Sequence, residues 1–357
     1  MASPSSTSVS VILHKDCLPS RSSPHFLSTA IHRARPMRSH GLCRAGFLPA
    51  MDKVGRVCHV FFTPTHAMLL HNLLGATAAG PDGGGPQCVA QFAKDLLFRE
   101  YNLSSRNGNQ IAFSVEVALL HRALRSVLAV HAQPPAAGDA AGAPAIQVRL
   151  VNKLPAGSRT ATPFLTFETK GAHAAVVQDV PISRPLSRSD VERLHAALDA
   201  AKDLPKTLVQ VPDLPQLQSL VDRLKNVGDL LTVAVTQYGD LHLQVSTSLV
   251  TVGSEFRKLR VIGDRANAPV GDQNLTSSTR MDMAVERREA LSVQVNMKHL
   301  VKSLHCHLAK PDCTFYGIAP DGACLTVVFQ YFIPGTRLAD KSISFYCRLP
   351  VLDPGSS

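Results

Sequence analysis

A strand followed by a helix occurs twice in this chain, at residues 111–128 and 291–308, and a shift of 180 residues superimposes the two copies. The alternating apolar positions of the strands coincide, and so do the apolar positions at helical spacing. The matched pairs are Ile111/Leu291, Phe113/Val293, Val115/Val295, Val117/Met297, Leu120/Leu300 and Leu124/Leu304. This repeat predicts two similar α+β domains, one in each half of the chain.

A second, weaker match lies earlier in each half, at a shift of 173 residues. It places Val60, Phe62, Met68 and Leu70 over Val233, Val235, Leu241 and Leu243. Any strand followed by an amphipathic helix would match the first unit in part. The shared order of elements is therefore what favours duplication over coincidence.

The two repeated helices carry basic residues away from their leucine stripes. Arg122 and Lys302 lie opposite the stripe, and Arg125 and Lys298 lie on its flank. Cationic side chains without interleaved aromatics favour phosphate contacts that ignore base sequence. Solvated helix faces carry lysine and arginine as well, so charge alone leaves both interpretations open.

Composition and charge exclude several classes of protein. A hydrophobic fraction of 45% with 18% charged residues is typical of a soluble globular protein, and no apolar stretch is long enough to span a bilayer. The net charge is +10, of which residues 1–50 carry half. The remaining chain is mildly basic and permits a polyanionic partner without requiring one. None of the eight cysteines forms a CxxC pair, which predicts reduced, mostly buried thiols.

The chain divides into four segments by composition and pattern. Residues 1–43 are rich in Ser and Arg and nearly free of acid, as an organellar transit peptide would be, but that is the minor alternative to an alternative first exon or a misjudged start. Residues 44–183 and 207–357 are the predicted domains. Residues 184–206 are a linker with a short helix, and residues 263–289 read as a long polar loop.

One strand near the C-terminus carries a resemblance to a known family. Residues 329–334, Phe-Gln-Tyr-Phe-Ile-Pro, follow residues 315–320, Phe-Tyr-Gly-Ile-Ala-Pro. Two earlier segments stand in the expected order: residues 208–212, Leu-Val-Gln-Val-Pro, and residues 241–245, Leu-His-Leu-Gln-Val. Over residues 44–334 the chain resembles the Hus-one-type subunit of the nine-one-one DNA-damage checkpoint clamp.

The resemblance implies a PCNA-like sliding-clamp fold, α+β, with two tandem domains whose inner helices pack on outer antiparallel sheets. It implies a non-catalytic, nuclear (or also cytoplasmic) subunit without cofactor or metal. Its partners would be two other clamp subunits in a heterotrimeric ring, encircled double-stranded DNA, a clamp loader, and repair and checkpoint proteins. The predicted DNA-facing residues are Arg122, Arg125, Lys298, Lys302, Lys53, Arg56 and Arg223.

Three features depart from the family pattern. The family begins directly with a strand, and residues 1–43 show no convincing equivalent, so the first strand is expected to be missing. The helical linker differs from the extended connector of PCNA, which puts peptide binding there in doubt. Residues 335–357 are an addition at the C-terminus.

Two other functions remain open from the residues alone. His305, Cys306, His307 and Cys313 suggest a metal site and an organelle-targeted metal-dependent hydrolase, but adjacent helical residues point in different directions. A homotrimeric replication processivity clamp would share the fold. The lack of clear PCNA motifs and the helical linker count against it.

Overall fold

The structure is a computed structural model, and the described residues form two compact units. These residues are 8–13, 46–75, 84–131, 146–155, 157, 159–170, 175–266 and 275–352. The first unit draws on the ranges 1–69, 91–188 and 332–343. The second draws on the ranges 70–90, 189–331 and 344–357. Both units are therefore discontinuous in sequence.

Strands outnumber helices in both halves of the chain. As far as residue 181 the elements are β1 (Ser8–Leu13), α1 (Phe47–Val54), β2 (Val57–Phe62), β3 (His66–His71), β4 (Gln87–Ala93), α2 (Lys94–Leu97), β5 (Phe98–Ser104), β6 (Ile111–Glu116), α3 (Val117–His131), β7 (Ile146–Lys153), β8 (Thr162–Lys170) and β9 (Ala175–Pro181). From residue 188 they are α4 (Arg188–Ala200), β10 (Thr207–Gln210), α5 (Leu214–Leu224), β11 (Leu230–Thr236), β12 (Leu241–Ser246), β13 (Thr251–Phe256), β14 (Val261–Gly263), α6 (Ser277–Glu286), β15 (Ala290–Asn296), α7 (Met297–Leu304), β16 (Cys313–Ile318), β17 (Cys324–Gln330) and β18 (Ile343–Pro350). Short 3-10 helices cover His305–Ala309 and Pro320–Gly322.

The first unit contains a strand, β1, in the N-terminal segment of the chain. Its five-stranded antiparallel sheet has the order β5-β1-β7-β8-β9, so β1 lies between two partners. This strand lies in the segment where the sequence showed no convincing equivalent of the family's first strand. The reason is that both strands paired with β1 lie about ninety or more residues further along the chain, and local pattern cannot reveal such partners.

The strand ladders agree with both sequence repeats. Val60 of β2 pairs with Phe113 of β6, and Val233 of β11 pairs with Val293 of β15. Val60 and Val233 are related by the shift of 173, whereas Phe113 and Val293 are related by the shift of 180. The two offsets were found separately in the sequence, and each relates one residue of the first ladder pair to its counterpart in the second pair. This agreement in cross-strand register supports the duplication.

The second unit has two antiparallel arrangements, β14-β10-β16-β17-β18 and β13-β12-β11-β15. The predicted loop at residues 263–289 contains α6, so that prediction is wrong for residues 277–286. Helix α6 buries only Met281 and Ala284, which pack with Ala234 and Ala290. Two buried residues on an otherwise polar helix give a weak amphipathic signal, which explains why the sequence predicted a loop.

Two further predictions have different outcomes. The short helix predicted within residues 184–206 is present as α4, whose Val191, Leu194 and Leu198 are buried. The prediction of reduced thiols is wrong for one pair, because Cys88 and Cys347 of the second unit form a disulfide. Cys58, Cys306, Cys313 and Cys324 are free thiols.

No helix in the described ranges is long and apolar enough to cross a membrane.

Candidate nucleic-acid interface

The repeated helices α3 and α7 begin in the same way in both units. The amide of Val117, the first residue of α3, donates to the carbonyl of Arg56 across 3.0 Å. The amide of Met297, the first residue of α7, donates to the carbonyl of Asp229 across 2.8 Å. Each acceptor immediately precedes the strand that pairs with the one leading into the helix. These bonds satisfy an otherwise unpaired helix-start amide and fix the orientation of each helix.

In the first unit, α1 and α3 pack side by side and expose cations. Helix α1 buries Phe47, Leu48, Ala50, Met51 and Val54 and leaves Lys53 exposed. Helix α3 buries an apolar stripe, while Arg122 and Arg125 are exposed and no acidic residue occurs in the helix. The pair therefore presents a predominantly cationic outer face.

In the second unit, α5 packs with α7 in the equivalent way. Helix α7 starts at Asn296, whose side chain accepts from the amide of Lys298 at 2.9 Å. It contains no acidic residue, buries Met297, Leu300, Ser303 and Leu304, and exposes Lys298 and Lys302. Arg223 of α5 is exposed as well.

Two acidic side chains on the paired helices, Asp222 and Asp52, have different surroundings. Asp222 binds Lys225 at 2.6 Å, which neutralises a lysine that the sequence reasoning did not select. The only available sequence signal for that pair was the spacing of three residues. Asp52 in α1 lies near enough to raise the pKa of His121 in α3. Burial and the adjacent Arg125 outweigh it and lower that pKa, so His121 is neutral at pH 7.

One of the seven predicted DNA-facing residues differs from the other six in its contacts. Arg56 forms an ion pair with Glu116, with Nη2 3.2 Å from Oε2. The other cations, Lys53, Arg122, Arg125, Arg223, Lys298 and Lys302, are exposed on the paired helices. Such a surface can bind a polyanion through its phosphates, without reading bases. Contact of these residues with DNA stays a prediction.

The predicted metal ligands are not brought together as a group. The sulfur of Cys306 contacts that of Cys347, and Nδ1 of His307 lies 2.9 Å from the carbonyl of Leu304. The thiol of Cys313 accepts from Nε2 of Gln210 at 3.6 Å. These three side chains thus have separate partners.

A different group of possible ligands, Asp240, His242 and Glu255, does converge in the second unit. Glu255 also binds Arg257, with the arginine Nε 2.9 Å from Oε1, and it binds Arg280. Two positively charged guanidinium groups bound to one carboxylate oppose the binding of a metal cation there. The cluster instead attaches α6 to β12 and β13 through charged hydrogen bonds.

Comparisons with known proteins agree with this geometry. Residues 42–337 match the family model of the Hus1-like protein. The checkpoint protein hus1 homolog of Dictyostelium discoideum is 25% identical over 272 residues, covering 75% of this chain and 82% of the relative. The human checkpoint protein HUS1 is 23% identical over 259 residues, covering 70% and 81%.

A solved structure supports the fold separately from sequence. The Proliferating Cellular Nuclear Antigen of Entamoeba histolytica superimposes with a TM-score of 0.53 at 7% identity, covering 98% of this chain and 100% of that one. At that identity the likeness concerns the fold alone. The paired helices, the antiparallel sheets and the family match lead to one conclusion: the chain has the PCNA-like sliding-clamp fold and belongs to the Hus1-like family.

Proposed function

We propose that this chain is a non-catalytic subunit of a heterotrimeric checkpoint clamp that encircles DNA at damage sites and supports checkpoint signalling and repair in the nucleus. The observation that carries the proposal is the duplicated pair of helices with exposed cations, in a member of the Hus1-like family. Relatives named as checkpoint proteins support the checkpoint role over a replication clamp or a hydrolase.

The sheet edges support assembly with other subunits. Within the described residues, β9 pairs only with β8, and β13 pairs only with β12. An unpaired strand edge offers a row of amides and carbonyls that a strand from another chain can complete. Val177 of β9 and Val252 of β13 are 54% and 38% exposed. These apolar side chains would be covered by such pairing.

The DNA interaction would rest on charge. Each phosphate that a lysine or arginine neutralises releases counterions, so binding weakens steeply as salt rises. Such contacts hold the duplex in any register, which suits a ring that slides. The chain itself would need no catalytic group for this role.

The deciding experiment measures the mass of the complex formed with two candidate clamp partners. We expect one species of composition 1:1:1, formed only when all three chains are present. A trimer of this chain alone would favour the replication-clamp alternative. A monomer indifferent to both partners would overturn the proposal.

A matched DNA experiment tests the helices. The triple variant Arg122→Ala, Lys298→Ala and Lys302→Ala should assemble normally yet be retained less on closed circular DNA. Its retention should also depend less on salt, by roughly 0.9 in logarithmic slope for each lost contact. Unchanged retention would remove these residues from the DNA-facing surface.

A further inference from the structure

Three cysteine sulfurs meet in the second unit. Cys88 in β4 and Cys347 in β18 form a disulfide. The sulfur of Cys306, in the 3-10 helix that follows α7, lies 3.8 Å from the sulfur of Cys347. All three side chains are fully buried. A free thiol is thus in contact with one end of a disulfide and shielded from solvent.

We infer that Cys347 exchanges between two disulfide partners, Cys88 and Cys306. In the exchange, the Cys306 thiolate attacks the sulfur of Cys347. The Cys306–Cys347 bond forms as the Cys347–Cys88 bond breaks, and the electron pair leaves on the sulfur of Cys88. Cys88 then takes up the proton that Cys306 released. One thiol and one disulfide are present before and after the exchange, so the step requires no oxidant or reductant.

The two disulfides constrain different parts of the chain. The Cys88–Cys347 bond joins residues 259 positions apart, whereas a Cys306–Cys347 bond joins residues 41 positions apart. The longer loop removes more conformational entropy from the unfolded chain, which favours Cys88–Cys347 as the resting form. Exchange would move the covalent link from β4 to the segment that directly continues α7. The end of that cation-bearing helix would then be tied to β18.

Burial controls the rate of this exchange. It raises the pKa of the Cys306 thiol well above its usual range, so little thiolate is present near neutral pH. Tyr316 lies in the same core, and burial and then Cys306 raise the pKa of its hydroxyl. Exchange is therefore slow at rest and accelerates with local opening or higher pH.

The test uses the folded full-length chain and peptide mapping without reduction. After mild oxidation, Cys88→Ser should contain a Cys306–Cys347 cross-link that is lost in the double variant Cys88→Ser, Cys306→Ser. Cys58→Ser, which removes another buried free thiol, should keep the Cys88–Cys347 bond and serves as the control. A folded Cys88→Ser chain whose Cys347 stays free or pairs elsewhere would overturn the inference.

The wild-type chain provides a second measurement that does not depend on the folding of Cys88→Ser. Alkylation of the native protein at pH 8.5 should label Cys88 as well as Cys306, because exchange releases Cys88 as a thiol. Labelling of Cys88 should be lost in Cys306→Ser. Labelling confined to Cys306 in the wild type, or equal labelling of Cys88 in Cys306→Ser, would show that no exchange occurs. The inference does not depend on the proposed clamp function.

Discussion

Arg56 and Glu116 form an ion pair beside the first turn of α3, with Nη2 of the arginine 3.2 Å from Oε2 of the glutamate. Arg56 immediately precedes β2, and Glu116 ends β6, where it lies opposite Val57 in the ladder. The arginine side chain remains 80% exposed. Its charge is shared with a carboxylate, so it should bind phosphate less strongly than the arginines of α3, for which the described residues show no ion pair.

This difference predicts unequal effects of two alanine substitutions on DNA binding by the assembled clamp. The slope of log K against log salt is negative, and Arg122→Ala should reduce its magnitude by roughly 0.9, the value for one lost phosphate contact. Arg56→Ala should lower it by clearly less. Binding titrations at several salt concentrations measure both slopes.

The control for this pair of variants is Arg106→Ala, which removes an exposed arginine from the turn between β5 and β6, outside the paired helices in sequence. It should leave the slope unchanged. Equal slopes for Arg56→Ala and Arg122→Ala would contradict the ranking that the ion pair implies.

The open sheet edges predict that a charge there should impair assembly without unfolding the chain. In Val177→Asp, an exposed side chain of β9 becomes ionic, and pairing with another strand would bury it. Because Val177 is 54% exposed, the lost apolar burial is about half that of a fully buried side chain, roughly 0.8–1.5 kcal/mol, or about four- to twelvefold weaker association. Val285→Asp on α6, where the valine is 40% exposed, is the matched control. Native mass spectrometry should show less complex for Val177→Asp only, and equal amounts for both variants would remove β9 from the interface.

The sequence could predict those parts of the fold in which apolar spacing and element order agree. The ladder pairs Val60–Phe113 and Val233–Val293 agree with two sequence offsets, and the exposed faces of α3 and α7 follow from helical spacing. The contacts it missed join residues far apart in the chain. Arg56 and Glu116 are 60 positions apart, and Cys88 and Cys347 are 259 apart. No local pattern records such pairs.

The buried cluster under α6 predicts that the second unit loses stability in mild acid. His242 lies with Nε2 3.3 Å from Oε1 of Glu255 and Nδ1 3.1 Å from Oγ of Ser277, and Arg257 and Arg280 bind the same glutamate. Burial lowers the pKa of His242 below its usual 6.5. As the pH falls, the histidine is therefore protonated in the unfolded chain at a higher pH than in the folded chain. The contribution of His242 to the free energy of unfolding is thus complete above about pH 6.5 and decreases below it.

Urea unfolding at pH 7.5 and pH 5.5 measures this effect. The wild type should be less stable at pH 5.5, and His242→Gln should show a smaller loss. His66 and His121, whose pKa values burial also lowers, contribute in the same direction and remain in the variant. Asp240 acts in the opposite direction, since burial raises its pKa. A pH dependence identical in wild type and His242→Gln would exclude His242 as a source.

The central position of β1 predicts that the N-terminal strand is required for a stable first unit. Val11 lies opposite Tyr101 of β5 on one side and Val148 of β7 on the other. Val11→Pro removes an amide from a strand that is paired on both sides, where proline is not normally accommodated. Losing one ladder bond and leaving its carbonyl partner unpaired costs about 1–3 kcal/mol.

Hydrogen exchange of β5 and β7 provides the measurement, since both strands would gain an open edge. Their amides should exchange faster in Val11→Pro, together with a lower urea midpoint. Ala175→Pro is the control, because it stands at the first residue of the edge strand β9, where proline is tolerated. Unchanged protection of β5 and β7 in Val11→Pro would mean that the sheet does not depend on β1. In that case the first unit would be stabilised by the pairing of β7 with β8 and of β8 with β9 instead.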